Sequence, residues 1–296
     1  MTGGLQAAPG VAVAVQDRDG HLASAGADTA QAVFSVTKMF VAAAVLQLVD
    51  AGRVALDDDV SHRVPLAPPG STVRDLLNHT SGLPDYATAA PYLEAVDARP
   101  SRPWGLEQIA AVALEGDRSA RGVFRYSNLG YWLLGAFVQN TTDAPLEQTL
   151  ARLVFEPAGM ASTFYPAADA VGAALTESGY DTRWAGPAGA AWSTPRDLVV
   201  FLTGLLGGSL MSAHCLAAMT TTVPVTAGAP WRKPGYGLGL MIDEEYGTYG
   251  HGGAGPGFTS AAMIAPGRGR AAAVIAQSGA SADPTAMALR LLHDET

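Results

Sequence analysis

The sequence AVFSVTKMFVAAAVLQLVD spans residues 32–50 and predicts a helix over 35–51 that is apolar on nearly every face. Gly52 ends this helix, as glycine commonly does. A helix of this composition is buried on most of its surface. It nevertheless carries Lys38, one of only two lysines in a chain that has 16 arginines. Because burying an ammonium group costs free energy, we expect Lys38 to be present for its chemistry.

Ser35 is the natural partner of this lysine. Residues three apart share one face of a helix, so the amine of Lys38 can reach the hydroxyl of Ser35. A position in the first helical turn would also favour developing negative charge there. A serine needs a neighbouring base to become a nucleophile, and burial can lower the pKa of a lysine enough to make it that base. The alternative is a chance occurrence of this four-residue S-x-x-K spacing.

Two further stretches combine polar residues with predicted secondary structure. In RYSNLGYWLLG, Tyr126 and Asn128 flank Ser127 just before an apolar helix. Tyr126 could exchange protons and Asn128 could orient substrate. Alternatively, Ser127 or Asn128 caps the helix and Tyr126 packs against its start. In GTYGHGGAGPGF, His251 follows a short predicted strand and precedes several glycines. These glycines would let a substrate approach the backbone closely, and the alternative is a tight turn with an exposed histidine.

Hydrophobic patterning places strands near both ends of the chain and helices between them. Residues 10–26 predict a hairpin that turns at Asp19-Gly20. The other predicted strands are 236–243, 258–265 and 270–278. Helices are predicted at 105–115, 128–140, 145–154, 195–206, within 72–84 as far as Gly82, and after Asp283. The stretch 166–190 predicts irregular structure, and His79 is predicted to fix a loop at a helix end.

This order of elements favours an α+β fold, with an antiparallel β-sheet flanked by helices and an inserted, mostly helical region. Residues 1–65 and 190–296 would form the sheet lobe, and residues 66–189 the helical lobe. The two lobes would make a single compact catalytic unit.

Composition excludes several classes of protein. Hydrophobic residues make up 48% of the 296, enough for a large core. The net charge is −9 without a basic cluster, so we expect no nucleic-acid partner. Cys215 is the only cysteine, which excludes an internal disulfide. Without a membrane-spanning stretch or a signal-peptide pattern, we expect a soluble, cytoplasmic protein. Without metal-ligand spacing or a phosphate-binding loop, we expect no metal and no cofactor.

The three motifs occur in an order that resembles the signature of the serine β-lactamase and penicillin-binding-protein superfamily. They are Ser35-Val36-Thr37-Lys38, Tyr126-Ser127-Asn128 and His251-Gly252-Gly253. The tyrosine of the second motif is similar to the class C β-lactamase branch, which also contains D,D-peptidases, D-aminopeptidases, esterases and some transacylases. The stretches TVRDLLNHTSGLPDY, FEPAGM and AWSTPRDLVVFL resemble the same branch.

This resemblance implies a role for each site residue. Ser35 would be the nucleophile that becomes acylated, and Lys38 and Tyr126 would share the base and acid work. Asn128 would contact the amide or the acyl side chain of the substrate. The oxyanion hole would consist of the backbone N–H groups of Ser35 and Ala254.

The third motif departs from the usual Lys-Thr-Gly or His-Thr-Gly. By the resemblance, His251, Gly252 and Gly253 belong to the site, but Gly252 lacks the hydroxyl that would bind a substrate carboxylate. An ordinary histidine has a pKa of about 6.5, so His251 would be mostly neutral at pH 7. We therefore expect esters or simple amides to be preferred over β-lactams. Any β-lactam activity should fall as His251 loses its proton between pH 6 and pH 8, and Arg232 or Arg268 could supply a cation instead.

The sequence thus predicts a serine hydrolase that acts on a small-molecule or peptide-like acyl donor through an acyl-Ser35 intermediate. Several alternatives stay open. The same site could serve a transacylase or an amide-bond-forming acyltransferase, or a D,D-peptidase or β-lactamase. It could also be a non-catalytic penicillin-binding or acyl-sensing module. The sequence does not indicate an oligomeric state.

Overall fold

The computed structural model describes residues 5–170 and 172–293. The ends of the predicted sheet lobe, 1–4 and 294–296, lie outside the described residues, as does Val171 of the predicted irregular stretch.

Strands near the two ends of the chain build one large sheet. The ten strands among the described residues are β1 (Val11–Gln16), β2 (Leu22–Ala25), β3 (Gln31–Ala32), β4 (Trp192–Ser193), β5 (Val223–Pro224), β6 (Pro234–Tyr236), β7 (Met241–Asp243), β8 (Thr248–Gly255), β9 (Phe258–Ala265) and β10 (Arg270–Gln277). Eight of them form a sheet in the order β2-β1-β10-β9-β8-β7-β6-β5, and every neighbouring pair is antiparallel. β3 and β4 pair separately.

Most of the helices follow the first strands and precede the last ones. The ten α-helices among the described residues are α1 (Thr37–Asp50), α2 (Val73–Leu77), α3 (Ala90–Ala98), α4 (Leu106–Ala113), α5 (Asn128–Thr142), α6 (Leu146–Leu150), α7 (Glu156–Ala158), α8 (Pro195–Leu206), α9 (Ala213–Thr220) and α10 (Pro284–His293). None of the helices in this part of the chain combines the length and the apolar character needed to cross a membrane.

The two faces of the sheet belong to two hydrophobic clusters. On β10, Ala273 and Ile275 join the large cluster that also contains Phe40 of α1 and Leu133 of α5. Val274, between them in sequence, faces the smaller cluster under α10. Because both faces are covered, β10 is apolar at nearly every position instead of alternating. The large cluster includes residues of both predicted lobes, and the division into lobes itself stays a prediction.

The predicted α+β class with an antiparallel sheet is confirmed, and so are the first hairpin and most of the long helices. The helix predicted as far as Gly82 is wrong in length, because α2 ends at Leu77 and His79 has a left-handed backbone with φ of 60°. The sequence missed α3 and α9. It also placed His251 after a strand, whereas His251 lies inside β8. Glycines made this strand hard to predict, because they are disfavoured in strands.

Candidate active site

The turn that carries Ser35 lies between the sheet and the first helix. Residues Phe34–Val36 form one turn of 3₁₀-helix that leads directly into α1, and this turn packs against β8 and β9. Ser35 therefore precedes α1, whereas the sequence predicted that it lies in the helix. Phe34 has a φ of 44°, a left-handed backbone that is strained for a phenylalanine. Strain of this kind persists only where the surrounding structure holds it, and it is concentrated at functional sites.

Lys38 points its amine at Ser35 from the first turn of α1. The Nζ atom lies 3.1 Å from Ser35 Oγ, 2.7 Å from Asn128 Oδ1 and 2.8 Å from the carbonyl oxygen of Ala188. The side chain is completely buried. Burial lowers the pKa of Lys38 to about 7, and the negative charge of Asp85 opposes this shift. About half of the Lys38 amines are therefore neutral near pH 7.

The three contacts of Lys38 define what a neutral amine does at this position. A neutral –NH₂ group has two N–H donors and one lone pair. The carbonyl oxygens of Asn128 and Ala188 can only accept, so they take the two N–H donors. The remaining position, which holds the lone pair, is directed at Ser35 Oγ. The neutral amine can therefore accept the proton of the serine hydroxyl.

Tyr126 lies beside this pair. Its ring centroid is 4.9 Å from Lys38 Nζ and 4.2 Å from the ring of His79. Burial raises the pKa of Tyr126 well above the ordinary value of a phenol, and a hydrogen bond with Ser35 opposes the rise. The phenol is therefore protonated at neutral pH, in hydrogen-bonding reach of Ser35.

Asn128 is the first residue of α5, and its side chain is held by a residue that the sequence did not single out. Asn128 Nδ2 donates to Asp85 Oδ2 at 2.9 Å, and the backbone N–H of Asn128 donates to Asp85 Oδ1 at 3.0 Å. Asp85 thus caps α5, whereas the hydroxyl of Ser127, a predicted cap, donates to the carbonyl oxygen of Pro84. Spacing could not identify this contact, because Asp85 and Asn128 are 43 residues apart.

His251 belongs to a chain of hydrogen bonds behind Tyr126. The backbone N–H of Ser127 donates to His79 Nδ1, so a neutral His79 carries its proton on Nε2 and donates to the Tyr236 hydroxyl. The Tyr236 hydroxyl donates to His251 Nε2 at 2.9 Å, and His251 Nδ1–H donates to the carbonyl oxygen of Gly252. Every donor in this chain has an acceptor while both histidines are neutral.

The electrostatics agree with neutral histidines. Burial, together with the positive charge of nearby Lys38, lowers the pKa of His251 to about 3. The same two causes hold the pKa of His79 well below its ordinary value. The expectation that His251 titrates between pH 6 and pH 8 is therefore wrong, because it already lacks the second proton at pH 6.

The glycines of β8 have a different purpose from the one that the sequence suggested. A Cβ added to Gly253 would overlap the carbonyl oxygen of Val33 and lie 3.1 Å from the backbone nitrogen of Ser35. A Cβ added to Gly255 would overlap the ring of Phe34. Gly253 and Gly255 thus let β8 lie directly against the turn that carries Ser35. Ala254, between them, is exposed.

A cavity of about 250 Å³ opens at Ser35, and it is mostly apolar. Its lining comprises Phe34, Ser35, Tyr86, Ala87, Tyr92, Leu93, Val96, Asn128, Tyr180, Ala185, Ala188, Gly189, Ala254, Gly255 and Pro256. None of these described lining residues is a lysine or arginine. Arg232 does not supply the missing cation, because it pairs with Glu245 and Tyr246. Arg268 lies in a 3₁₀ turn after β9 and is absent from the lining.

One group of potential metal ligands is found among the described residues. Asp17, Asp19 and His21 lie close together in the turn between β1 and β2, and none of them lines the cavity at Ser35. The Asp17 carboxylate there accepts the backbone N–H groups of Asp19 and His21, as in many turns without an ion.

Comparison with known proteins agrees with this fold. The Beta-lactamase family model matches residues 2–295, so the chain belongs to the beta-lactamase family. The chain is 28% identical over 240 residues to the putative penicillin-binding protein PbpX of Bacillus subtilis (strain 168). That match covers 76% of this chain and 56% of PbpX, so the chain spans little more than half the length of this relative.

Two solved structures of amide-cleaving enzymes have a similar fold. A D-stereospecific amidohydrolase from Streptomyces sp. superposes with a TM-score of 0.79 at 30% identity, covering 90% of this chain and 89% of that one. A D-amino acid amidase from Ochrobactrum anthropi SV3, complexed with L-phenylalanine amide, gives a TM-score of 0.79 at 26% identity and covers 92% and 87% of the two chains.

Proposed function

We propose that this protein is a serine hydrolase that cleaves an ester or an amide through an acyl-Ser35 intermediate. The hydrogen-bond pattern of Lys38 supports this proposal more than any other observation. Lys38 is completely buried, has a pKa of about 7 and directs the lone pair of its neutral amine at a serine hydroxyl. These are the properties of a general base. A binding module that only holds a ligand has no need of such a lysine.

The proposed acylation step moves one proton, in total, from Ser35 to the leaving group by way of Lys38 and Tyr126. Neutral Lys38 takes the proton of Ser35 as Oγ attacks the carbonyl carbon of the substrate. The protonated Tyr126 gives its proton to the leaving alcohol or amine and recovers one from Lys38, whose Nζ lies 4.9 Å from the tyrosine ring. Water then attacks the acyl-enzyme by the reverse sequence, which releases the acid and regenerates Ser35.

The oxyanion that forms when Ser35 Oγ attacks the substrate needs hydrogen-bond donors. We assign this role to the backbone N–H groups of Ser35 and Ala254. Both residues line the cavity, and Gly253 brings β8 against the turn of Ser35. Removing one such donor commonly slows turnover by about 10²–10³-fold.

Acyl groups without a carboxylate suit this cavity best, because none of the described lining residues is a lysine or arginine that could bind one. Esters and simple amides should therefore be cleaved in preference to β-lactams. Among amides, those of D-amino acids are the first to test, since the two structurally similar enzymes are named as D-stereospecific amidohydrolase and D-amino acid amidase.

The proposal is tested by active-site labelling. Wild-type protein is incubated with a fluorophosphonate and its intact mass is measured, together with hydrolysis of p-nitrophenyl acetate and D-phenylalanine amide. One adduct per chain is expected, and Ser35→Ala should remove both the adduct and the hydrolysis while the circular dichroism spectrum stays unchanged. The same adduct on Ser35→Ala would show that another residue is the nucleophile.

A further inference from the structure

Asp85 uses its carboxylate to organise the start of α5 from another part of the chain. Its Oδ1 atom accepts the backbone N–H groups of Tyr86 and Asn128, each at 3.0 Å. Its Oδ2 atom accepts the side-chain Nδ2 of Asn128 at 2.9 Å. A carboxylate is favourable at the N-terminus of a 15-residue helix, where free N–H groups and the helix dipole meet it.

The carboxylate decides which way the amide of Asn128 points. An ionised carboxylate can only accept, so the –NH₂ end of the amide must face Asp85. The Oδ1 end then faces Lys38 Nζ at 2.7 Å. In the flipped amide, two oxygens would meet at Asp85 and N–H groups would meet at Lys38. The contact with Asp85 would be repulsive, and Lys38 would lose the acceptor of one of its N–H donors.

The orientation of Asn128 in turn decides what Lys38 does. With Oδ1 in place, Asn128 and Ala188 occupy both N–H donors of the neutral amine, and the lone pair is left for Ser35. With the amide flipped, Nδ2–H would donate to the lone pair of Lys38 and compete with Ser35. A residue that never touches the serine therefore controls its base.

We propose that Asp85 is a positioning residue that fixes the side-chain amide of Asn128, and thereby directs the lone pair of Lys38 at Ser35. This inference rests on the proposed function. Asp85 does not line the cavity at Ser35, so it acts through Asn128 and not through the substrate.

Among the described residues, Asp85 is also the one charged group that changes the pKa of Lys38. The titratable groups that face Lys38 are Tyr126 and Tyr131, with ring centroids 4.9 and 5.3 Å from Nζ, and the more distant His79 and His251. Burial keeps the tyrosines protonated and the histidines neutral. The carboxylate of Asp85 consequently raises the pKa of Lys38 against the effect of burial.

Asp85→Asn separates the two effects of this carboxylate. The variant keeps the size of the side chain but loses its charge, and one of its two Asn128 contacts becomes donor against donor. We expect kcat/KM for p-nitrophenyl acetate at high pH to fall by about tenfold or more. We also expect the acid limb of the pH profile to move down by about one unit, because one nearby opposite charge commonly shifts a pKa by at least that amount.

Asp59→Asn is the matched control. Asp59 is similarly half-buried, and its carboxylate also accepts backbone N–H groups, those of Ser61 and Gly70, away from Lys38. This variant should keep the wild-type acid limb. A merely structural role for Asp85 would lower the melting temperature and leave its acid limb in place. An unmoved limb in Asp85→Asn, or an equal movement in Asp59→Asn, would overturn the proposal.

Two more variants cover other outcomes. If Asp85→Asn does not fold, Asp85→Glu keeps the charge and displaces the oxygens, so its high-pH rate should fall with the acid limb unmoved. A wild-type rate would overturn the proposal.

In an Asn128→Ala background, Asp85→Asn should cause no further loss of the high-pH rate. Failure of the proposed function can be told apart from failure of this inference. In that case wild-type protein would resist the fluorophosphonate, or Ser35→Ala would still react with it.

Discussion

The two lysines of the chain show how surroundings decide what one residue type does. Lys233 is exposed, and its ammonium pairs with Glu244, which raises its pKa. Lys38 is completely buried with no carboxylate in direct contact, and burial lowers its pKa to about 7. The sequence predicted the burial of Lys38 from the apolar helix around it. It could not predict Asn128 and Ala188 as partners, because they lie 90 and 150 residues away and meet Lys38 only in the folded chain.

The pKa of Lys38 gives a pH profile with a definite sign. In the proposed mechanism the neutral amine is the active form, so kcat/KM for p-nitrophenyl acetate should be level above about pH 8. Below about pH 7 it should fall by about tenfold per unit, as Lys38 gains a proton. Lys38→Arg should abolish turnover at every pH, because a guanidinium stays protonated. Near-normal turnover of Lys38→Arg would mean that Lys38 supplies only a fixed charge.

At the scale of single elements, β8 was the longest of the strands that the sequence failed to predict, the others being β3, β4 and β5. Its glycines look like a loop, and local propensity opposes a strand there. Pairing with β7 and β9 overrides that preference, and the lack of side chains at Gly253 and Gly255 lets β8 reach the turn of Ser35. By contrast, the hairpin of β1 and β2 and the helices α5 and α8 were predictable, because turn residues and apolar periodicity mark them locally.

Gly253→Ala tests the contact between β8 and the turn that carries Ser35. The added Cβ would overlap the carbonyl oxygen of Val33 and lie 2.6 Å from Ser260 Oγ, so the turn must move away from the strand. We expect fluorophosphonate labelling to slow by about 10²-fold and the free energy of unfolding to fall by about 1–3 kcal/mol. Gly267→Ala is the control, because a Cβ there meets nothing within 4 Å. A labelling rate equal to that of Gly267→Ala would contradict the interpretation that Gly253 lets β8 lie against the turn of Ser35.

Tyr236 links the α2–α3 segment to β6 and β8 through its hydroxyl, which binds His79 on one side and His251 on the other. Tyr236→Phe would leave the Nε2–H of His79 and the Nε2 of His251 buried without partners. We expect the free energy of unfolding to fall by about 1–3 kcal/mol in urea denaturation. Tyr249→Phe, at a partly exposed tyrosine of β8, should change it by less than about 0.5 kcal/mol. Equal effects of the two substitutions would show that the chain of hydrogen bonds is not stabilising.

At the scale of the whole molecule, the site is assembled from segments that are far apart in sequence. The 3₁₀ turn Phe34–Val36 supplies Ser35, and the first turn of α1 supplies Lys38. The chain between α2 and the start of α5 supplies Asp85, Tyr126 and Asn128, and strand β8 lies against the turn that carries Ser35. Motif order predicted these three contributions, with the resemblance to a known family. It did not predict the charge balance of the cavity, because that depends on which loop residues line it. The helix α3, which contributes Leu93 and Val96 to the lining, was also not predicted.

The charge balance of the cavity predicts substrate preference and its response to pH. Nitrocefin carries a carboxylate, and none of the described residues that line the cavity is a lysine or arginine that could bind it. We therefore expect kcat/KM for p-nitrophenyl acetate to exceed that for nitrocefin at both pH 6 and pH 8. Because His251 is neutral at both values and Lys38 serves both reactions, the two constants should fall together, by about tenfold, from pH 8 to pH 6. If nitrocefin were the better substrate, or if its kcat/KM alone rose at pH 6, a cation absent from this lining would have to bind the carboxylate. The proposed preference for acyl groups without a carboxylate would then be wrong.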